Sequence, residues 1–137
     1  MKKKNAFLLS IALLLCLAVI AGLHYLYTDI FPLAPPIFCP PESEIDSVSI
    51  LTDEETSIAL DSGETELLLL EISKAKATRK QSLDDTPSAR PYYRISLKSA
   101  GIEYRYFVYQ HLDQVYVEIP YSGVYFASDT VLEILQK

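Results

Sequence analysis

The run of apolar residues from Ala6 to Leu26 constrains this chain more than any other feature, because it contains no charged side chain. As an α-helix it would be about 31 Å long, and a bilayer core is about 30 Å thick. Three lysines at positions 2 to 4 precede the run, and the next basic residue is Lys74. The positive-inside rule therefore predicts a cytoplasmic N-terminus, a single-pass signal anchor over residues 1–27 that contacts the lipid bilayer through residues 6–26, and a C-terminal domain outside the cell membrane.

Two other fates of this segment stay open. A cleaved signal peptide would release a secreted domain, but such peptides have apolar cores of about 7–15 residues and a small-x-small cleavage site. The best site of this kind lies around residues 19–22. Acylation would use Cys16, although Leu15 stands before it, where lipoproteins have a small residue. The length of the apolar core favours the uncleaved anchor.

Residues 28–41 are predicted to form a spacer, because five of the eight prolines in the chain lie there. Proline fixes φ and removes a backbone donor, so the segment is expected to be extended and semi-rigid. Its apolar side chains would lie either on the bilayer surface or on the domain. Residues 42–137 are then one extracytoplasmic domain. Cys39 falls in the spacer and Cys16 in the anchor, so no disulfide framework is indicated.

The charge distribution argues against nucleic acid as a partner. The chain has a net charge of −6, with ten acidic and no basic residues from Glu42 to Glu71. Eight basic residues follow between Lys74 and Arg105. An acidic domain is a poor match for nucleic acid or for an anionic lipid surface. The basic block is expected to pair with acidic elements or face solvent, with an anion-binding patch as the alternative.

The hydrophobic pattern of the domain predicts an α+β fold. Alternating apolar and polar residues indicate an antiparallel sheet of about five strands in the order ββαβββα, with an extra short strand possible at Val124 and the helices on one face. Asp61 and Glu64 form a capping box for a helix from about Glu64 to Ala77. A last helix is expected after Ser128 or Asp129. The strand-like runs are 45–51, 56–60, 92–98, 103–112 and 115–119.

No motif for a metal, a nucleotide cofactor or catalysis is present, so we predict a protein that is not an enzyme and has no cofactor. The domain holds one histidine, His111, and no Cys/His cluster. Ser82, His111 and Asp85 have the side chains of a hydrolase triad, but no G-x-S-x-G elbow supports them. The alternative is a cell-envelope enzyme that uses His111 or the carboxylates of Asp85 and Glu118.

Two stretches carry closely spaced polar and aromatic residues that differ from a generic scaffold. They are Arg79-x-x-Ser82-x-x-Asp85-x-Pro87 and Tyr116-x-Glu118-x-Pro120-Tyr121-x-Gly123-x-Tyr125. The pair resembles a family of small membrane-anchored or secreted bacterial proteins whose C-terminal α+β domain has no assigned function. The resemblance covers residues 45–135, and it implies a location and a fold rather than an activity.

These stretches, together with Arg94 on the strand that follows the first of them, contain the candidate binding residues. One interpretation is a structural network, in which Arg79 pairs with Asp85 and Glu118 accepts from an arginine. The other makes them the rim of a binding site with exposed tyrosines, since tyrosine is favoured at interfaces. The set is Arg79, Asp85, Arg94, Tyr116, Glu118, Tyr121 and Tyr125.

We therefore predict a binding or interaction module for an envelope protein or peptide. An accessory subunit of a membrane protein complex is a further alternative.

Overall fold

A computed structural model describes residues 2–137, with side chains from residue 6 onward. The chain divides into two compact units, of which the first ends at Pro32 and the second spans Leu33–Lys137. The first unit is helix α1 (Lys2–Ile30). Its stretch Ala6–Ile30 is long and apolar enough to cross a membrane. An apolar N-terminal helix is therefore present as predicted, and its length and composition fit an anchor or a signal sequence.

The second unit is an α+β domain. In the described part of the chain, seven strands form one antiparallel sheet in the spatial order β2-β1-β4-β5-β6-β7-β3. The strands are β1 (Ile45–Thr52), β2 (Ser57–Ile58), β3 (Lys76–Ala77), β4 (Tyr92–Ser99), β5 (Ile102–His111), β6 (Gln114–Ile119) and β7 (Gly123–Ala127). The two α-helices of this unit are α2 (Ser62–Ser73) and α3 (Asp129–Leu135), and a short 3-10 helix spans Glu42–Glu44.

The α+β class is confirmed, but the predicted strand count and order are wrong. The observed order of the domain is ββαβββββα, because two strands join the five predicted ones: β3, which was not predicted, and β7, the extra short strand considered possible at Val124. Residues 76 and 77, predicted as the end of a helix, instead pair with Phe126 and Tyr125 of β7. The open edge of β7 offers backbone partners, and tertiary pairing of this kind overrides local helix propensity.

One face of the sheet carries both helices. The predicted capping box at the start of α2 is confirmed: Asp61 Oδ1 accepts from the Glu64 N–H (2.8 Å), and Glu64 Oε2 accepts from the Asp61 N–H (3.2 Å). Apolar side chains from α2 and α3 pack on alternate strand residues in a single core. Its most buried members are Leu68, Ile72, Ile95, Leu97, Tyr106, Val108, Val115, Val117, Tyr125 and Val131.

The opposite face of the sheet is covered in part by residues 78–91, here called the 78–91 loop. A second cluster of Tyr92, Phe107 and Tyr109 lies on this face, with Ala89 of the loop packed against it. Burial of Ser82 within the loop shows that the loop closes onto the strands. The sheet is therefore buried on both faces near β5 and β6, whereas the sequence predicted helices on one face and no cover for the other.

Residues 33–39, here called the 33–39 segment, pack on the sheet as part of the second unit. The Ala34 N–H donates to the Thr78 carbonyl (2.9 Å). Tyr125 and Tyr106 donate their hydroxyls to the carbonyls of Pro35 and Phe38, each at 2.6 Å. The apolar residues of the spacer were expected to lie either on the bilayer surface or on the domain, and the 33–39 segment lies on the domain. The compact unit thus begins at Leu33 rather than at residue 42.

Candidate functional site

The turn after β6 presents a tyrosine in an unfavourable backbone conformation. The Ser122 N–H donates to the Ile119 carbonyl (3.0 Å), which closes a turn with Pro120 in its second position. Tyr121 in the third position has a φ of 57°. This is the pattern of a type II turn, in which glycine normally occupies the third position. A left-handed conformation costs a side-chain-bearing residue about 1–2 kcal/mol.

A groove of about 460 Å³ lies beside this turn. Three parts of the second unit form its walls: Pro36 and Phe38 of the 33–39 segment, residues 103–106 of β5, and the turn at residues 119–122. Asp85 of the 78–91 loop adds a carboxylate. The rings of Phe38 and Tyr104 lie 5.6 Å apart. Aromatic walls with a few polar groups are typical of binding sites.

The structure brings the two sequence motifs together at this groove. The Ser82 hydroxyl donates to Glu118 Oε1 (2.7 Å), and the Tyr121 hydroxyl donates to Asp85 Oδ1 (2.9 Å). In each contact one motif supplies the hydroxyl and the other supplies the carboxylate. The first contact is buried and the second is exposed. The 78–91 loop is therefore held across the end of β6 by two hydrogen bonds from hydroxyl groups to carboxyl oxygens.

Glu118 is the buried anchor of this junction, with only 8% of its surface exposed. Its Oε2 accepts a second hydrogen bond from the Tyr109 hydroxyl (3.0 Å). Burial, and then the charge of Glu118, raise the pKa of Tyr109 well above its ordinary value. Both carboxylate oxygens of Glu118 thus accept a hydrogen bond from a hydroxyl group, which supports the structural-network interpretation for this residue.

The predicted arginines have separate environments. Glu118 was expected to accept from Arg79 or Arg94, but Arg94 Nη2 donates to Glu55 Oε2 (2.8 Å) in an ion pair at the β1–β2 turn. The register explains this, because Arg94 pairs with Leu51 near that turn. Arg79 is half-buried at the start of the 78–91 loop.

The three predicted tyrosines do not form one exposed surface. Tyr121 is 68% exposed, whereas Tyr125 is 1% exposed and points into the helix-covered core. Tyr116 is half-buried and stacks on Tyr109, with ring centroids 5.5 Å apart. The alternation of side chains along β6 and β7 places Tyr116 and Tyr125 on opposite faces of the sheet. The expected exposure of Tyr125 is therefore wrong.

The side chains of the proposed hydrolase set are not assembled. His111 is exposed at the end of β5, six residues beyond Arg105, which lines the groove with Asp85. Six strand residues span about 20 Å. Ser82 is buried against Glu118. Within residues 2–137, no group of three His, Cys, Asp or Glu side chains is arranged to hold a metal ion.

The first residues of β5 are the part of the groove that the sequence reasoning missed. Residues 103–106 were predicted only as strand, and Pro36 and Phe38 only as spacer. A signal was nevertheless available, because β5 has ten residues and β6 has six. Pro120 ends the shorter strand, so part of the longer one must lack a partner on that side.

Comparison with known families places this domain. The model of the DUF5301 family, whose description reads "Domain of unknown function (DUF5300)", matches residues 34–126, which is more than half of the chain. The chain belongs to the DUF5301 family. A structure described as "NMR structure of the protein from Ruminococcus gnavus" is similar, with 30% identity and a TM-score of 0.53. The match covers 68% of this chain and 90% of that chain. No curated protein matches significantly.

Membership of DUF5301 agrees with the expected family of unassigned function. It also bears on the groove, because the lining residues, from Pro36 to Ser122, all lie within the matched range 34–126. The 33–39 segment therefore belongs, from residue 34 onward, to the DUF5301 domain.

Proposed function

We propose that this DUF5301 protein is a membrane-anchored extracytoplasmic binding module that uses the groove to hold part of an envelope protein. The observation that carries the proposal is Tyr121, which is exposed, left-handed and fastened to Asp85 beside the groove. Strained residues persist where the surroundings impose them, and they cluster at ligand sites. An exposed aromatic ring at such a position is a typical interface anchor.

The chemistry of the groove favours a largely apolar ligand with few charges. Its walls carry two prolines and four aromatic rings, from Pro36, Phe38, Tyr104, Tyr106, Pro120 and Tyr121. The charged groups are Asp85 and a Glu103–Arg105 ion pair with an N–O distance of 3.0 Å. One cation and two anions suit a ligand with at most a small positive charge.

The apolar helix supports a location at the membrane. Residues 6–30 satisfy the length and composition of a membrane span. The lysines at positions 2 to 4 and the lack of any basic residue before Lys74 favour a cytoplasmic N-terminus. A partner that is itself a membrane protein would make this chain an accessory subunit of a membrane complex.

Site-specific photocrosslinking in intact cells of the native host tests the proposal. A photoreactive phenylalanine analogue replaces Tyr121 in the full chain, and the matched control replaces Leu112, which is 86% exposed on the β5–β6 hairpin. We expect a discrete adduct from position 121 that is absent from position 112. Identical adducts from both positions, or none from position 121, would contradict the proposal.

A further inference from the structure

Strand β5 extends beyond its partner β6 at the groove. β6 pairs with β5 from His111↔Gln114 to Phe107↔Glu118. β4 accompanies β5 further, as far as Ser99↔Ile102. Continuing this register places Ile119, the last residue of β6, opposite Tyr106. In the described structure, residues 103–105 therefore have a neighbouring strand on the β4 side and the groove on the other side. An edge of this kind is a template for another strand.

The two hairpins of β5 determine which backbone groups point into the groove. Both have two-residue turns with positive φ, at Ala100–Gly101 and at Leu112–Asp113. In such type I′ hairpins the residues flanking the turn exchange both hydrogen bonds, and the direction then alternates along the strand. Alternating residue by residue from His111 or from Ile102 assigns the same hydrogen-bonding direction to each residue of β5. Glu103 and Arg105 direct their N–H and C=O groups to the β6 side.

We propose that the groove binds an extended peptide segment, which adds to β5 as a short strand along residues 103–105. The proposal rests on the binding role above and names its ligand class. Four main-chain groups, from Glu103 and Arg105, become partners for the peptide backbone. Strand addition of this kind takes affinity from main-chain hydrogen bonds and specificity from alternate side chains.

The side chains around this edge define the peptide chemistry. Tyr104 projects to the face that carries Phe38, so the peptide residue opposite Tyr104 is apolar. Glu103 and Arg105 project to the other face, where opposite charges across strands are favourable. An antiparallel segment then reads acidic, apolar, basic, with its acidic residue opposite Arg105.

The test uses a blocked hexapeptide, acetyl-Glu-Val-Lys-Val-Thr-Thr-amide, and the full chain in detergent micelles followed by NMR. Without peptide, the amides of Glu103 and Arg105 are expected to exchange with solvent at least about tenfold faster than those of Tyr104 and Tyr106. The peptide should slow the first pair. The same peptide N-methylated at its glutamate, which lacks one donor, should bind about tenfold more weakly.

A protein variant provides the matched control. Arg105→Pro removes a donor that faces the groove and leaves the bonds to β4, and proline is tolerated at a strand edge of this kind. Arg105→Val removes the charge and keeps the donor. Arg105→Pro should therefore lower the affinity for the hexapeptide much more than Arg105→Val does. Should Arg105→Pro fail to fold by circular dichroism, the two peptides alone decide.

Equal binding of both peptides, or no binding of either, overturns strand addition. So does protection of the Glu103 and Arg105 amides in the free protein, including protection that grows with protein concentration through pairing of two copies. If a crosslinked adduct forms from position 121 but the hexapeptide does not bind, the proposed binding role stands and only the peptide ligand is refuted. If neither the adduct nor hexapeptide binding is seen, both proposals are refuted.

Discussion

At the scale of single residues, Glu118 matters most to the fold of the site. The sequence marks it as a polar residue in an apolar strand, and the structure gives it two hydroxyl partners, Ser82 and Tyr109. A buried carboxylate is tolerated only when its oxygens are hydrogen-bonded. Glu118 therefore fastens the 78–91 loop to the sheet, and through the loop it positions Asp85 beside Tyr121.

Replacing this carboxylate should be costly. We expect Glu118→Ala to lower the free energy of unfolding by about 2–4 kcal/mol, because two buried hydroxyls lose their acceptor. Urea unfolding of the full chain in detergent, followed by circular dichroism, measures the change. The control is Glu55→Ala, whose pair with Arg94 is exposed and should be worth less than about 1 kcal/mol. Equal losses in the two variants would show that the buried contacts are not special.

The buried tyrosine hydroxyls predict a loss of stability in alkali. Burial, and then Glu118, raise the pKa of Tyr109 in the folded state, while an unfolded tyrosine titrates near pH 10. Below about pH 10 both states are protonated and the contribution is complete. Above that pH the unfolded state ionises first, so the free energy of unfolding falls as pH rises. Tyr109→Phe should reduce the fall between pH 9 and pH 11.

Urea midpoints at the two pH values check this result. Tyr106 has a pKa raised mainly by burial, so the double variant Tyr106→Phe, Tyr109→Phe should flatten the profile further. If the free energy of unfolding falls as steeply with pH in both variants as in the parent protein, the loss of stability in alkali does not come from Tyr106 and Tyr109.

At the scale of elements, beginnings were easier to predict than ends. The capping box joins Asp61 and Glu64, which are three residues apart in the chain, so the start of α2 could be predicted from the sequence. Its end at Ser73 could not, because residues 76–77 leave the helix to pair with β7. The 33–39 segment likewise could not be placed from the sequence, since its docking depends on acceptor and donor groups from the 78–91 loop, β5 and β7.

The same segment lies close against Gly123 at the start of β7. A Cβ atom there would overlap the Cβ of Ala34, and its other neighbours are at ordinary contact distances. We expect Gly123→Ala to destabilise the domain by about 1–3 kcal/mol through overpacking. Adding Ala34→Gly should restore much of the loss, because it removes the overlapping atom. Thermal unfolding of the two variants measures this, and failure of the second change to rescue the first would mean that the segment packs elsewhere.

At the scale of the whole molecule, the arrangement is an apolar helix followed by a compact domain. We expect the domain to face the exterior. In a background of Cys16→Ala and Cys39→Ala, Leu112→Cys should react with a membrane-impermeant maleimide in intact cells, since residue 112 is exposed. Asn5→Cys should react only after permeabilisation. The reverse pattern would invert the topology, and a shortened labelled protein in the medium would indicate signal cleavage.

The sequence by itself determined the features that depend on local periodicity and composition. These are the apolar helix, the α+β class, five of the strands and the cap of α2. It also marked the two polar stretches that meet at the groove. Each of these depends on residues close together in the chain, where spacing alone states which side chains share a face.

Tertiary structure alone decided which of the marked residues form a site. Tyr121 and Asp85 meet, Tyr125 goes to the core, and Arg94 pairs at the other end of β4. Contacts between distant parts of the chain likewise decided the short strand β3, the docked 33–39 segment and the start of β5, which lacks a partner on the β6 side only. The physical reason is that hydrogen-bond pairing and burial depend on which strand is next in space, and chain order leaves that choice open.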